Sequence, residues 1–225
     1  LSDVFASYLW PGRPLGEFNN VPTFVDYTAD GKVLLKPGTG DQPTTDVSKA
    51  DAATGINTQN PIAQGNPQPF LTASFINSFT YKGFDLNFQI RGSFGNKILN
   101  NLRSNLMIPG SILETNMLNG VADLPKDYGT NVLSTYWLEN GTYARLDNWQ
   151  IGYNIRTGGK YLSAARVYLG GNNLFTLTSY KGVDPELQVK ADLQNESQAP
   201  NNIGMDFSNI YPKTRSFQLG VNLTF

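Results

Sequence analysis

The sequence predicts an all-β fold, the last strands of a large antiparallel transmembrane β-barrel with long extracellular loops. Three observations carry this. Runs of about 11–14 residues alternate apolar and polar side chains, where soluble strands average five or six and a tilted membrane strand needs roughly 9–11. The connections between the runs alternate between tiny and very long, as in outer-membrane barrels. The composition is turn-rich and weakly charged, with 22 Gly, 13 Pro and only 16% charged residues, which favours β structure over helix.

Residues 1–69 are punctuated by Pro, Gly, Asp, Thr and Asn, and GTGDQPTTDVSKADAATG has no apolar period. They are expected to form an extracellular loop region with one short hairpin, TFVDY-TADG-KVLL. From residue 70 the texture changes, and residues 70–225 are expected to hold five barrel strands and their loops. The first, 71–81, sets Leu71, Ala73, Phe75, Phe79 and Tyr81 against Thr72, Ser74, Ser78 and Thr80, with Asn77 and Ile76 as the two exceptions. Lys82-Gly83 is a two-residue turn. The second strand, 84–94, places Phe84, Leu86, Phe88 and Ile90 opposite Asp85, Asn87, Gln89 and Arg91. NKILNNLRSNLM then shows a weak helical period inside a long loop. The third strand, 142–155, shares Trp149, Ile151 and Tyr153 on one face but puts Leu146 out of phase, so a bulge is expected near Asp147 or Asn148. The fourth, 164–176, carries Val167 and Leu169, and 177–211 is another polar loop. The last strand, 213–225, alternates most cleanly, with Phe217, Leu219, Val221, Leu223 and Phe225 on one side.

Placing the short turns in the periplasm puts the C-terminus there too, and collects Tyr81, Phe84, Tyr153, Tyr161 and Phe225 as an aromatic belt. A terminal Phe with Gln218, Gly220, Leu223 and Phe225 spaced polar-x-Gly-x-x-apolar-x-aromatic reads as a barrel-assembly signal, an open strand edge that assembly machinery captures by strand addition. Five strands cannot close a barrel whose smallest members have about eight, and an open sheet leaves backbone groups unsatisfied in lipid. The chain therefore reads as the C-terminal part of something longer, with an N-terminal plug and the remaining barrel outside it. Its opening, LSDVFASYLWPGRP, has no basic start and no apolar core of a signal peptide.

Several blocks resemble a known family. GNPQPFLTASFINSFTYKGFDLNFQIRGSFGNKILN, NGTYARLDNWQIGYNI, ARVYLGGNNLFTLTSYKGVDPEL and YPKTRSFQLGVNLTF, with PLGEF at 14–18, are similar to the end of SusC/RagA-type TonB-linked outer-membrane proteins of Bacteroidetes. The resemblance implies a plugged barrel of about 22 strands. It also implies TonB-dependent import of bulky nutrients such as glycans or peptides, and a SusD-like surface lipoprotein as partner. The other expected contacts are the TonB complex, the assembly machinery and membrane lipid, with the protein in the outer membrane and its loops outside.

Other functions are set aside on composition. With no Cys and no His, thiolate chemistry, imidazole bases and most zinc sites are excluded. A formal net charge of −1 gives no field for nucleic acid. Asp41, Asp46 and Asp51, and Asp26 with Asp30-Gly31, miss the calcium-loop spacing and read as solvated loop. Gly92-x-x-Gly95 and Gly158-Gly159-Lys160 fit no phosphate loop, and Asn140 and Asn195 begin sequons by chance. No catalytic, cofactor or metal residues are assigned, and the protein is read as a transporter rather than an enzyme. Trp10, Tyr136, Trp137 and Tyr180 are loop aromatics that can stack on sugar or pack within a loop. The alternative is a secreted soluble β-sandwich that binds glycans through those aromatics. The two readings differ on the apolar faces: a barrel wall exposes them to lipid, and a sandwich buries them against a second sheet.

Overall fold

A computed structural model describes residues 6, 11–38, 40–51, 63–111, 114, 116–121, 124, 132–159, 161–187, 203–206 and 212–225. The chain divides into two compact units. One, the strand unit, comprises Phe70–Phe94, Thr142–Ser179 and Tyr211–Phe225; the other, the loop unit, comprises Leu1–Pro69, Gly95–Gly141 and Tyr180–Ile210. A boundary thus falls at residue 69/70, and two later excursions fold with the first 69 residues. Among the described residues, no helix is long and apolar enough to cross a membrane.

In the loop unit the expected hairpin forms as β1 (Phe24–Tyr27) and β2 (Val33–Leu35). The weak helical period over NKILNNLRSNLM is only partly helix. It opens as β3 (Lys97–Leu99) and only then gives α1 (Asn101–Asn105).

 The partner of β3 is β4 (Leu138–Asn140), the next strand along the chain, and Lys97, Ile98 and Leu99 lie opposite Asn140, Glu139 and Leu138. Strands are numbered in chain order within each unit, the loop unit first. Ile98 and Leu99 are buried, so pairing takes the apolar part of the helical pattern before the helix starts. Asn100 caps α1, its side chain accepting from the Arg103 amide at 2.9 Å.

The loop unit has its own core. Phe18, Val21, Leu35, Ala50, Leu99 and Trp137 are almost wholly buried in one cluster. Its backbone is tied across long sequence distances. The Thr135 amide donates to the Pro22 carbonyl at 2.9 Å, the Phe24 amide to Thr135 Oγ1 at 3.0 Å, and the Thr23 amide to Asp51 Oδ1 at 3.0 Å.

The strand unit holds β5 (Leu71–Tyr81), β6 (Phe84–Phe94), β7 (Tyr143–Arg156), β8 (Ala164–Asn172), β9 (Thr176–Thr178) and β10 (Ser216–Thr224). They form one antiparallel sheet in the order β10-β8-β7-β6-β5, with β9 also paired to β7. Lys82 (φ 46°) and Gly83 (φ 89°) make the β5–β6 turn. Two positive φ angles in a two-residue loop match the right-handed strand twist.

The bulge forms at Asp147. Gln89 pairs with Asn148 while Ile90 pairs with Leu146, leaving Asp147 extra. The fourth strand, expected to run to 176, breaks instead after Asn172 and resumes as β9. Asn173 (φ 52°) makes the break, and its amide donates to the Asp147 carbonyl at 2.9 Å. Asn tolerates this left-handed conformation. The two irregularities are therefore matched: β8 pairs with β7 on one side of the bulge, and β9 pairs with it on the other.

Candidate functional site: the two faces of the strand unit

Directly paired residues in an antiparallel sheet point to the same face. One register line runs Phe79, Leu86, Ile151, Leu169, Leu219; the next runs Tyr81, Phe84, Tyr153, Val167, Val221. Every member is apolar or aromatic. Because of the bulge, Leu146 pairs with Ile90 and joins this face, which resolves its phase error. The face is open: Leu219 is 76%, Phe217 64% and Val221 58% exposed. Among the described residues, Tyr143 is the one buried hydrophobic of the strand unit; the other buried hydrophobics belong to the loop unit. A soluble sandwich needs this face covered by a second sheet, and among the described residues of the strand unit there is none. Near the short-turn edge, Phe84 and Tyr153 pack with ring centroids 4.5 Å apart, and Tyr161 and Phe225 are exposed.

The opposite face is polar and cross-linked. Arg166 donates to Asp85 from Nη2 at 2.6 Å and from Nε at 3.1 Å, and to Gln150 Oε1 at 3.0 Å. Asn154 Nδ2 donates to the same carboxylate at 3.0 Å. Asn148 donates to Gln89 at 2.8 Å, Gln89 to Ser74 at 3.1 Å, and Asn172 to Ser216 at 3.0 Å. Arg91 lies directly opposite Arg145, a like-charge pairing that destabilises a sheet when left alone. The bulge supplies the remedy, because the carboxylate of the extra residue, Asp147, accepts from Arg91 Nε at 2.6 Å. Arg145 is buried, donates to Thr176 Oγ1 at 3.0 Å and sits 5.4 Å from the Tyr143 ring centre. Side chains of the face thus hydrogen-bond one another from strand to strand.

The four residues of the expected assembly signal divide between the faces. Gln218 and Gly220 are on the polar face, paired with Gly170 and Tyr168; Leu223 is on the apolar face opposite Ala165; Phe225 follows the strand end and is 86% exposed. The loop aromatics are differently placed. Trp137 is wholly buried and Tyr180 nearly so, which removes both as exposed stacking surfaces. Tyr136 packs against Phe24 and Trp137, with ring centroids 5.0 and 4.8 Å away. Trp10, Lys160 and Asn195 lie outside the described residues. Asp46 caps a short 3-10 turn through the Ser48 amide at 2.9 Å, and Asp51 is bound to Thr23, so the acidic run is spread over separate roles. Among the described residues, no group of three or more Asp or Glu is disposed to hold a metal ion.

Sequence reasoning missed a buried polar cluster in the loop unit. The Tyr180 hydroxyl donates to Asp206 Oδ2, and Glu139 accepts from Arg103 Nη1 at 3.0 Å, Asn100 Nδ2 at 3.2 Å and the Lys181 amide at 2.7 Å. The Asp206 amide donates to the Leu99 carbonyl at 2.9 Å, stitching residues 203–206 beside β3. Burial pushes the Asp206 carboxyl up from its ordinary value of 3.8; the Tyr180 hydrogen bond opposes this, and the Glu139 charge adds to it. Burial also pushes the Tyr180 phenol up, so it stays neutral. A raised folded-state value means that the protonated form favours the folded unit. Asp206 should therefore add to the unit's resistance to urea on acidification, a contribution lost as pH rises from near 3.8 through the higher folded value. Asp206→Asn should flatten that slope in a urea titration followed by proteolysis of the unit. A slope unchanged by the substitution would remove Asp206 as its source.

Comparison with known proteins fits the two-faced sheet. No family model matches the chain. TonB-dependent receptor P3 of Formosa agariphila is 32% identical over 185 residues, 76% of this chain and 18% of the relative. TonB-dependent receptor SusC of Bacteroides thetaiotaomicron is 26% identical over 64% of this chain and 14% of the relative. The chain is homologous to the SusC-like TonB-dependent receptors. TonB-dependent receptors are outer-membrane β-barrel proteins and not enzymes. The chain spans less than a fifth of the length of these curated relatives. The fold of this TonB-receptor homologue also matches a solved structure of the RagAB peptide transporter, with TM-score 0.67 and 23% identity over 91% of this chain and 22% of that one. A RagAB peptide importer in its closed-closed state matches with TM-score 0.67 and 21% identity, over 97% of this chain and 25% of that one.

Proposed function

We propose that the chain is the C-terminal wall of a TonB-dependent outer-membrane importer of bulky nutrients, glycan or peptide, that works with a SusD-like surface lipoprotein. The observation that carries the reading is the exposed apolar face, continuous across five long strands and backed by a hydrogen-bonded polar face, in a chain homologous to such receptors. In lipid the apolar face meets acyl chains. The polar face lines the lumen, where weak multiple hydrogen bonds let polar cargo pass without trapping it. The short turns and Phe225 face the periplasm, and the long segments face outward and meet the lipoprotein. TonB acts through a plug that lies outside these 225 residues. The likeness to RagAB, a peptide transporter, favours peptide as cargo.

The first test is the intact mass of the natural protein recovered from outer-membrane fractions. A polypeptide several times the calculated 24.7 kDa supports the importer; a stable soluble species near 24.7 kDa overturns it. Co-purification of a surface lipoprotein with the large species tests the partner.

Gln218, Gly220, Leu223 and Phe225 are proposed as the residues that the assembly machinery reads. Phe225→Ala should lower the yield of folded, heat-modifiable barrel in cells, whereas Phe88→Ala, in the middle of an interior strand, should matter less. Normal yield from the Phe225 variant would sink the signal.

A further inference from the structure

On the polar face, the two longest side chains of β8 lie flat over glycines of the neighbouring strands. The Arg166 guanidinium crosses β7 above Gly152 to reach Asp85 on β6. A Cβ at Gly152 would stand 2.6 Å from Arg166 Nη2 and 2.7 Å from Asp85 Oδ1. The Tyr168 ring lies in the opposite direction, over Gly220 of β10, where a Cβ would stand 2.3 Å from the ring's Cζ and 2.4 Å from its hydroxyl. The two side chains hold each other, with the guanidinium 5.1 Å from the ring centre. Asp85, Arg166, Tyr168 and Gly220 thus make one strap across four strands, and the terminal strand is tied to β6 through it.

We propose that this strap pins the register of the terminal strand, and that position 220 is glycine because the Tyr168 ring occupies the space of its side chain. A one-residue slip of β10 would bring Leu219 or Val221 under the ring and turn the strand's apolar side chains onto the polar face. Such a slip is the error most open to a strand at the edge of this sheet, and an aromatic ring seated on a cross-strand glycine penalises it sterically. The arrangement gives Gly220 a role distinct from recognition by assembly machinery. It rests on the strand unit being a barrel wall and is independent of the cargo.

The test is a double-substitution cycle in the full-length natural protein, with the heat-modifiable folded fraction as readout. Gly220→Ala should lower the ratio of folded to unfolded barrel about tenfold, as one misplaced methyl in a packed site does. Adding Tyr168→Ala to it should return the ratio to that of Tyr168→Ala alone. The same pattern should appear when the purified chain refolds into phosphatidylcholine vesicles without any assembly machinery. A Gly220→Ala loss that Tyr168→Ala does not relieve overturns the strap, as does a loss seen in cells and absent in vesicles; the second assigns Gly220 to recognition. A Gly220→Ala protein that folds as well as the parent overturns it too. Failure of the barrel reading is read separately, from the mass and solubility of the unsubstituted protein.

Discussion

Val221→Arg should lower the stability of the assembled barrel by about 2–4 kcal/mol, the cost of a lipid-facing arginine near the bilayer midplane. Val221 lies one residue from the centre of β10 (Ser216–Thr224), on the apolar face and 58% exposed. Its neighbour Asn222 lies on the polar face opposite Arg166. Asn222→Arg adds the same charge one residue away and should cost far less, apart from local repulsion by Arg166. The contrast can be measured by urea titration of both variants in lipid vesicles. Equal losses at 221 and 222 would mean that the two faces meet the same medium, and the lipid assignment would fail. A soluble sandwich predicts a large loss at 221 as well, so vesicle binding by the parent protein completes the test.

Trp137→Ala should cost the loop unit about 3–5 kcal/mol, as expected for truncating a large buried aromatic. Trp137 has no exposed surface, packs edge-to-face on Tyr136, and has the Arg103 guanidinium 5.3 Å from its ring centre. That guanidinium also holds Glu139. Removing the ring leaves a cavity in a core cluster to which all three segments of the unit contribute. Hydrogen exchange or limited proteolysis should then show faster opening of the loop unit while β5 to β10 keep their protection. If protection of the unit is unchanged, its core does not depend on Trp137. A sugar-stacking role predicts the opposite pattern, with lost ligand binding and intact stability, and burial argues against it.

The barrel wall was legible because its signal is local. Phe84, Leu86, Phe88 and Ile90 alternate within one run, and the misplaced Leu146 was enough to locate the bulge. The exact place of the break at Asn173 is not legible, since Gly170-Gly171-Asn172-Asn173 offers several turn residues and only the pairing partner shows which one turns. The loop unit has the texture of punctuated loop because Phe18, Leu35 and Trp137 come from distant places with no period to link them. The ion pairs were hidden for a related reason. Arg166 reaches Asp85 across 81 positions of sequence, and Asp147 meets Arg91 because a bulge aims it there. Glycine at 220 stands out in the sequence by its place near the chain end, whereas Tyr168, the side chain closest to it in space, belongs to another strand.

The extra residue at Asp147 behaves as a frameshift in a two-letter code. Upstream of it, odd-numbered positions of β7 such as Tyr143 and Arg145 face the polar side; downstream, odd-numbered positions such as Trp149, Ile151 and Tyr153 face the apolar side. Removing one residue there would not merely shorten the strand. It would invert the meaning of every position before it, turning Arg145 toward lipid and Leu146 toward water. Length variation in this strand is thus confined to steps of two, and a related chain that lacks the bulge must carry the opposite alternation over its first four positions.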